Sequence, residues 1–302
     1  MPIPVAYLSI ILIWSTTPLA IQWSALGAGF AFAVTARMAI GLALAILILL
    51  LWRLGFPRHR EALATYAAGG LGLFGAMTLT YWGAQYVHSG LVALVFGTVP
   101  LVTSLMAALW LNERALTAPR LAGMLIGLAG LAVVFSTADG LGSDRAWLGL
   151  LALLLAVLCY SAGLVWVKRI GDDSPPLAIT VGTMTVALPL FLLVWLVTDG
   201  GWPDQLSGRA AAAILYLGVC GSVLGFALYF YVIQHLDTGP VSLISLINPV
   251  IALMLGSLVN GEVLPGRVWA GAAAVILGLA IYQWETLAGL PRAWFPAAKS
   301  SN

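Results

Sequence analysis

Side chains able to bind a small molecule recur at helical spacing inside apolar stretches. Thr78, Tyr81, Gln85 and His88 follow one another at steps of three, four and three, which places them on one face of a helix. Ser222, Phe226 and Tyr229 stand at i, i+4 and i+7, and Ser242, Ser245 and Asn248 lead into Pro249. Trp14 and Thr17 precede Pro18, and Tyr160 is followed by Ser161. Hydroxyls, amides and aromatic rings of this kind hydrogen-bond and stack, so a stripe of them can line a path through a bundle. The same small hydroxyl groups also join membrane helices, at about 0.6 kcal/mol per bond. The candidate substrate contacts are Trp14, Thr17, Thr78, Tyr81, Gln85, Tyr160, Ser222, Tyr229, Ser245 and Asn248.

Covalent chemistry has no comparable support. The chain has no HExxH, no GxSxG and no mid-span Asp pair, so neither a metal-activated water nor an activated nucleophile is foreseen. His88 and His235 fall at span junctions on opposite sides of the bilayer, without other ligand types beside them. No metal and no cofactor are expected. Cys159 and Cys220 lie in apolar runs, where cysteine is a small buried hydrophobe, and two such thiols imply no disulfide framework.

The elements that must hold these residues follow from composition. Of 302 residues, 62% are apolar and only 8% are charged, against about 25% charged in soluble domains. There is too little polar side-chain material to cover a water-exposed globule. Disorder is excluded by the same numbers, and a net charge of +2 cannot make a nucleic-acid-binding face. The lipid bilayer is the expected environment. Apolar runs at about 5–22, 31–52, 63–86, 90–111, 119–136, 147–167, 175–197, 210–233, 239–259 and 267–284 are long enough for helices rather than barrel strands. The expected fold is an all-α integral membrane protein of ten transmembrane helices. Met1-Pro2-Ile3-Pro4 lacks a basic leader region, so the first run is expected to remain as a span.

Basic residues set the orientation. With a cytoplasmic N-terminus, that side receives Arg53, Arg58, Arg60, Arg114, Arg120, Lys168, Arg169, Arg292 and Lys299, against Arg145, Arg209 and Arg267 opposite. Both termini are expected to be cytoplasmic. Most tryptophans fall near span ends as interfacial anchors, while Trp14 and Trp82 lie deeper.

An internal repeat organises the spans. Ser89-Gly90 through Glu113 matches Thr238-Gly239 through Glu262 at an offset of 149, which superimposes Pro100 on Pro249. Gly123 and Gly130 fall on Gly271 and Gly278 at 148, Tyr81 on Tyr229 at 148, and Trp14-Ser15 on Tyr160-Ser161 at 146. Two halves, 1–140 and 141–302, would each carry five helices. An odd count makes the second half run inverted relative to the first, as in many alternating-access carriers. Pro100 and Pro249 are then candidate helix breaks with a gating role. Gly123 and Gly127, with Gly271 and Gly278, suit close packing within the fold rather than a dimer seam. Monomeric function is expected, because one chain supplies both inverted units.

Each half has a Glu just after an apolar span and then Gly-rich apolar sequence: Leu111-Asn112-Glu113 before Gly123, and Asn260-Gly261-Glu262 before Gly271. With Ile13-Trp14-Ser15 and Arg37, this pattern resembles the paired EamA domains of the drug/metabolite transporter superfamily over nearly the whole chain. Its length and ten-span plan are similar to bacterial exporters of amino acids, aromatic ones included. The resemblance implies a bacterial inner-membrane exporter with a cavity lined by spans one, three, four, six, eight and nine.

Charge narrows the cargo. Arg37 is the one cation inside a span and no Asp or Glu lies at a span centre. Sugar phosphates would call for several Lys or Arg, and drug/proton exchange for a buried carboxylate. Arg37 itself reads either as a functional group or as a side chain snorkelling from its helix end. A zwitterion fits the inventory best, so the expectation is export of neutral or aromatic amino acids and related metabolites. The alternative is export of hydrophobic drugs or other small metabolites.

Overall fold

The computed structural model describes residues 2–111, 117–137, 144–198, 200–204, 206–236 and 238–287. Glu113, Arg114, Arg292, Trp294 and Lys299 lie outside the described residues, as does the Ser242 side chain. Every regular element among the described residues is helical: α1 (Ile3–Ala25), α2 (Phe30–Leu51), α3 (Arg60–Gly83), α4 (Ser89–Phe96), α5 (Val99–Leu111), α6 (Ala118–Phe135) and α7 (Ala146–Ile170), then α8 (Pro176–Thr198), α9 (Gly208–Tyr216), a π-helical segment (Leu217–Leu224), α10 (Gly225–His235), α11 (Thr238–Asn260), α12 (Gly266–Tyr282) and α13 (Trp284–Leu287). Nine helical stretches in these residues are long and apolar enough to cross a membrane, with α4–α5 and α9 through α10 each counted as one. At 17 residues, α12 reaches about 26 Å, slightly under the hydrocarbon thickness of about 30 Å.

The outward faces remain apolar. Leu50, Leu51, Leu125, Leu193 and Val197 are each more than half exposed, which suits contact with lipid rather than water. Inside, Tyr81, Leu150, Leu153, Phe191, Leu217 and Leu253 are fully buried. Contacts between the N-terminal and C-terminal portions dominate: α3 packs on α7 and α8, α6 on α12, α1 on α9, α10 and α11, and α4 on α11.

Close helix approach depends on glycine. A Cβ at Gly123 would stand 2.5 Å from the Gly278 carbonyl oxygen, and one at Gly130 would stand 2.7 Å from that of Gly271. Only hydrogen in place of a side chain lets α6 and α12 come this near.

Two spans are irregular. Pro100 has no N–H to give the Phe96 carbonyl, and α4 stops there; the chain resumes at Val99 with Pro100 in the first turn of α5, where the missing donor costs little. Thr98 Oγ1 donates to Val95 O at 2.6 Å and helps close the break. The equivalent interruption expected at Pro249 is absent, because α11 runs through it from Thr238 to Asn260. One missing bond is tolerable within a packed membrane helix, and Gly97, lacking a side chain, leaves room for the Pro249 ring: a Cβ there would lie 3.0 Å from Cγ. The second irregularity comes in span eight without a proline. There the Gly225 amide donates to Cys220 O, a five-residue step, and π segments of this kind favour functional positions.

Candidate functional site

A cavity of about 440 Å³ opens at the end of the bundle where α1, α3 and α11 finish, with Gln22, Trp23, Tyr81, Gln85 and Asn260 in its lining. Its rim is held by a polar network. Gln22 Nε2 donates to Val87 O at 2.6 Å and Ala84 O at 3.2 Å, tying α1 to the turn after α3. Trp23 Nε1 donates to Asn260 Oδ1 at 3.2 Å. Asn260 Nδ2 donates to Glu262 Oε1 at 3.1 Å, and the Arg209 guanidinium sits 3.9 Å above the Trp23 ring. Glu262 is buried and accepts from Ser89 N at 3.0 Å, Ser89 Oγ at 2.7 Å and Gly90 N at 3.5 Å. A carboxylate placed there satisfies orphan amides of α4 and complements the positive end of its dipole.

Deeper in the bundle lies a second cluster. Arg37 is 6% exposed, so it does not snorkel. It sits about 11 Å along α2 from the N-terminal end. Its Nε donates to Ser222 Oγ at 3.2 Å and its Nη1 to the Tyr81 hydroxyl at 3.4 Å. Ser222 belongs to the π segment and donates in turn to Leu217 O at 3.0 Å. Tyr81 joins the two regions, since it lies against the cavity and carries the Arg37 contact. Thr17 approaches from α1, its hydroxyl donating to Ile13 O at 2.7 Å.

The other expected residues are distributed around these clusters. Trp14 meets Tyr229 with ring centroids 4.9 Å apart and Phe226 at 6.0 Å. Gly225 makes room for the indole, since a Cβ there would lie 2.9 Å from its nitrogen. Asn248 accepts from Ser15 Oγ at 3.1 Å. Tyr160 faces Phe96 at 6.5 Å. The Thr78 hydroxyl is buried without a hydrogen-bond partner among the described residues. Gln85 is exposed at the cavity mouth and its Nε2 donates to Trp82 O at 3.2 Å. Ser245 accepts from Gln283 Nε2 at 2.9 Å, a contact between α11 and the end of α12. Thus Tyr81 and Ser222 converge on Arg37 with Thr17 across Gly221 from it, Trp14 pairs with Tyr229, and Ser245 points to a separate contact.

Sequence reasoning did not select Gln22 and Asn260 for the cavity. Gln22 sits one residue from the interfacial Trp23 and Asn260 begins the Asn260-Gly261-Glu262 motif, but a lone amide at a span end carries no periodic signal. Among the described residues no group of three or more His, Cys, Asp or Glu could hold a metal. Away from the membrane interior, His59 Nε2 lies 2.8 Å from Asp172 Oδ1. Burial raises the Asp172 carboxyl pKa, but the neighbouring Ser174 and His59 outweigh that and hold it below the usual carboxylate value.

An all-helical bundle with an apolar outer belt, a cavity at one end and a polar cluster behind it has the build of a membrane transport protein. The EamA-like transporter family model matches residues 3–136 and again 147–283. The chain belongs to this family. Protein PagO of Salmonella typhimurium is 29% identical over 191 residues, which cover 61% of this chain and 60% of PagO. A probable terminal-alkyne amino-acid exporter of Streptantibioticus cattleyicolor is 26% identical over 240 residues, 76% of either chain. A solved crystal structure superimposes with a TM-score of 0.64 at 22% identity, covering 93% of this chain and 97% of that one. At such identity the likeness is one of fold.

Proposed function

We propose that the protein exports neutral and aromatic amino acids and related metabolites across the bacterial inner membrane by alternating access. The observation that carries this reading is the lining itself. Cavity lining and inner cluster present amides, hydroxyls, aromatic rings, aliphatic groups and the Arg37 guanidinium, with Arg209 and Glu262 at the rim, a set suited to a small zwitterion with an apolar side chain. Similarity to a probable amino-acid exporter points the same way. In this reading ten spans form two inverted five-helix repeats, 1–140 and 141–302, with both termini cytoplasmic and one chain as the working unit. Support comes from the double family match and from the packing of repeat-equivalent spans, α6 on α12 and α4 on α11.

Substrate would meet Trp14, Thr17, Thr78, Tyr81, Gln85, Tyr160, Ser222, Tyr229, Ser245 and Asn248 along the path. Pro100 and Pro249 would lie where the span-four break meets α11, a seam able to shift while α6 and α12 stay locked. Proteoliposomes preloaded with radiolabelled phenylalanine test the reading. Efflux should compete with unlabelled neutral amino acids but not with lipophilic cations. Tyr81→Ala and Asn248→Ala should each slow it several-fold, on the order of 1 kcal/mol per lost polar contact. Competition by lipophilic cations alone would move the assignment to drug export.

A further inference from the structure

The cluster around Arg37 has an unbalanced charge. The guanidinium is nine-tenths buried and forms no ion pair with any described carboxylate. Its hydrogen-bond partners are neutral hydroxyls, Ser222 on Nε and Tyr81 on Nη1. Nη2 donates to no described residue, and beside it the chain leaves space. At Gly221 a Cβ would lie 3.5 Å from Nη2 and from Leu217 Cδ2 and 3.7 Å from Thr17 Oγ1, so the missing side chain leaves a space about one heavy atom wide, enough for one carboxylate oxygen beside Nη2. A buried cation left without a counter-charge is costly, and proteins retain one where a partner arrives. Guanidinium offers a planar fork of donors that matches a carboxylate in shape and charge.

We infer that Arg37 is the substrate's carboxylate anchor, receiving the anionic head in the gap bounded by Thr17, Gly221 and Ser222. Tyr81, already bonded to Arg37 and lying against the cavity, is the side chain past which that head enters. One guanidinium balances one negative charge, so the class of ligand is a monocarboxylate with its apolar part toward the Trp14–Tyr229 pair. The identity of that ligand as an amino acid rests on the proposed function; the carboxylate does not.

Matched pairs test this on purified full-length protein in detergent. Binding of phenylacetate against phenylacetamide, and of phenylalanine against phenylalaninamide, is followed through quenching of tryptophan fluorescence. Wild type should bind each acid on the order of ten- to a hundred-fold more tightly than its amide. Arg37→Gln should abolish that ratio and Arg37→Lys should keep part of it. The wild-type ratio needs no variant, so a poorly folding Arg37→Gln leaves the test intact. Equal affinity for acid and amide in wild type, binding of no acid, or a ratio retained in folded Arg37→Gln overturns the inference. So does chloride that competes as well as phenylacetate does, since that would make the gap a small-anion site. Phenylacetate held through Arg37 while phenylalanine is neither bound nor exported would sustain the anchor and defeat the amino-acid reading. Phenylalanine exported without any acid preference would do the reverse.

Discussion

Two seams between the N-terminal and C-terminal helices use opposite means. Along α6 and α12, backbone meets backbone at Gly123 against Gly278 and Gly130 against Gly271, with Arg120 over the Tyr282 ring at one end. Along α4–α5 and α11 the contact is uneven. Gly90 lies under Leu253 and Gly97 under the Pro249 ring, span four is broken while α11 is continuous, and Glu262 reaches across to the start of α4. Both seams pair segments that the repeat superimposes, so similar sequence produced a tight, nearly symmetric contact in one place and an asymmetric one in the other. Packing of bare backbone has one solution, whereas a seam held by side-chain hydrogen bonds can be remade. The α6–α12 contact is therefore the more rigid of the two in geometry.

The largest break in this comparison should come from Gly278→Val. Its Cβ would stand 2.5 Å from both Gly123 O and Gly127 N, backbone atoms that cannot step aside. The expected cost exceeds about 3 kcal/mol, beyond ordinary overpacking, and size-exclusion chromatography should show loss of the monodisperse protein. A well-folded variant would mean the α6–α12 contact is softer than its geometry. Next comes Glu262→Ala, which strands the Ser89 amide and hydroxyl and one Asn260 bond. Leaving such buried groups unmet costs about 1–3 kcal/mol. Thermal unfolding should show the loss, with Glu262→Gln recovering part of it.

Gly97→Ala should matter least. Its Cβ would press at 3.0 Å on Pro249 Cγ and the Leu94 carbonyl, but Gly97 already has helical dihedrals, and alanine there gains about 0.4–1 kcal/mol by restricting the unfolded chain. The net change in unfolding should stay below about 1 kcal/mol. A loss comparable to that of Gly278→Val would show both seams to be equally rigid and erase the distinction.

Much of the helix plan was legible beforehand because lipid imposes length and apolarity locally. The expected 31–52 and 119–136 stand beside Phe30–Leu51 and Ala118–Phe135. The break beside Pro100 was legible too, since a proline forfeits a donor wherever it stands. Pro249 carries the same signal yet leaves α11 whole, because the outcome also depends on the glycine facing it. The π segment had no signal, being an apolar Gly-containing run like many others in this chain. At the site, Tyr81 and Ser222 were marked by periodicity, but nothing in their spacing says that both bond to Arg37, 44 and 185 residues away.

The sequence by itself determined that this is a helical membrane protein with duplicated segments, few charges and one cation at depth, since hydropathy and repetition are properties of the chain read in order. Tertiary structure alone decided that Arg37 is enclosed by hydroxyls without a described carboxylate, that Glu262 caps a distant helix, and that one of two equivalent prolines breaks its span. These depend on what lies across from each residue after packing, and a buried charge or a missing hydrogen bond takes its meaning from that neighbour.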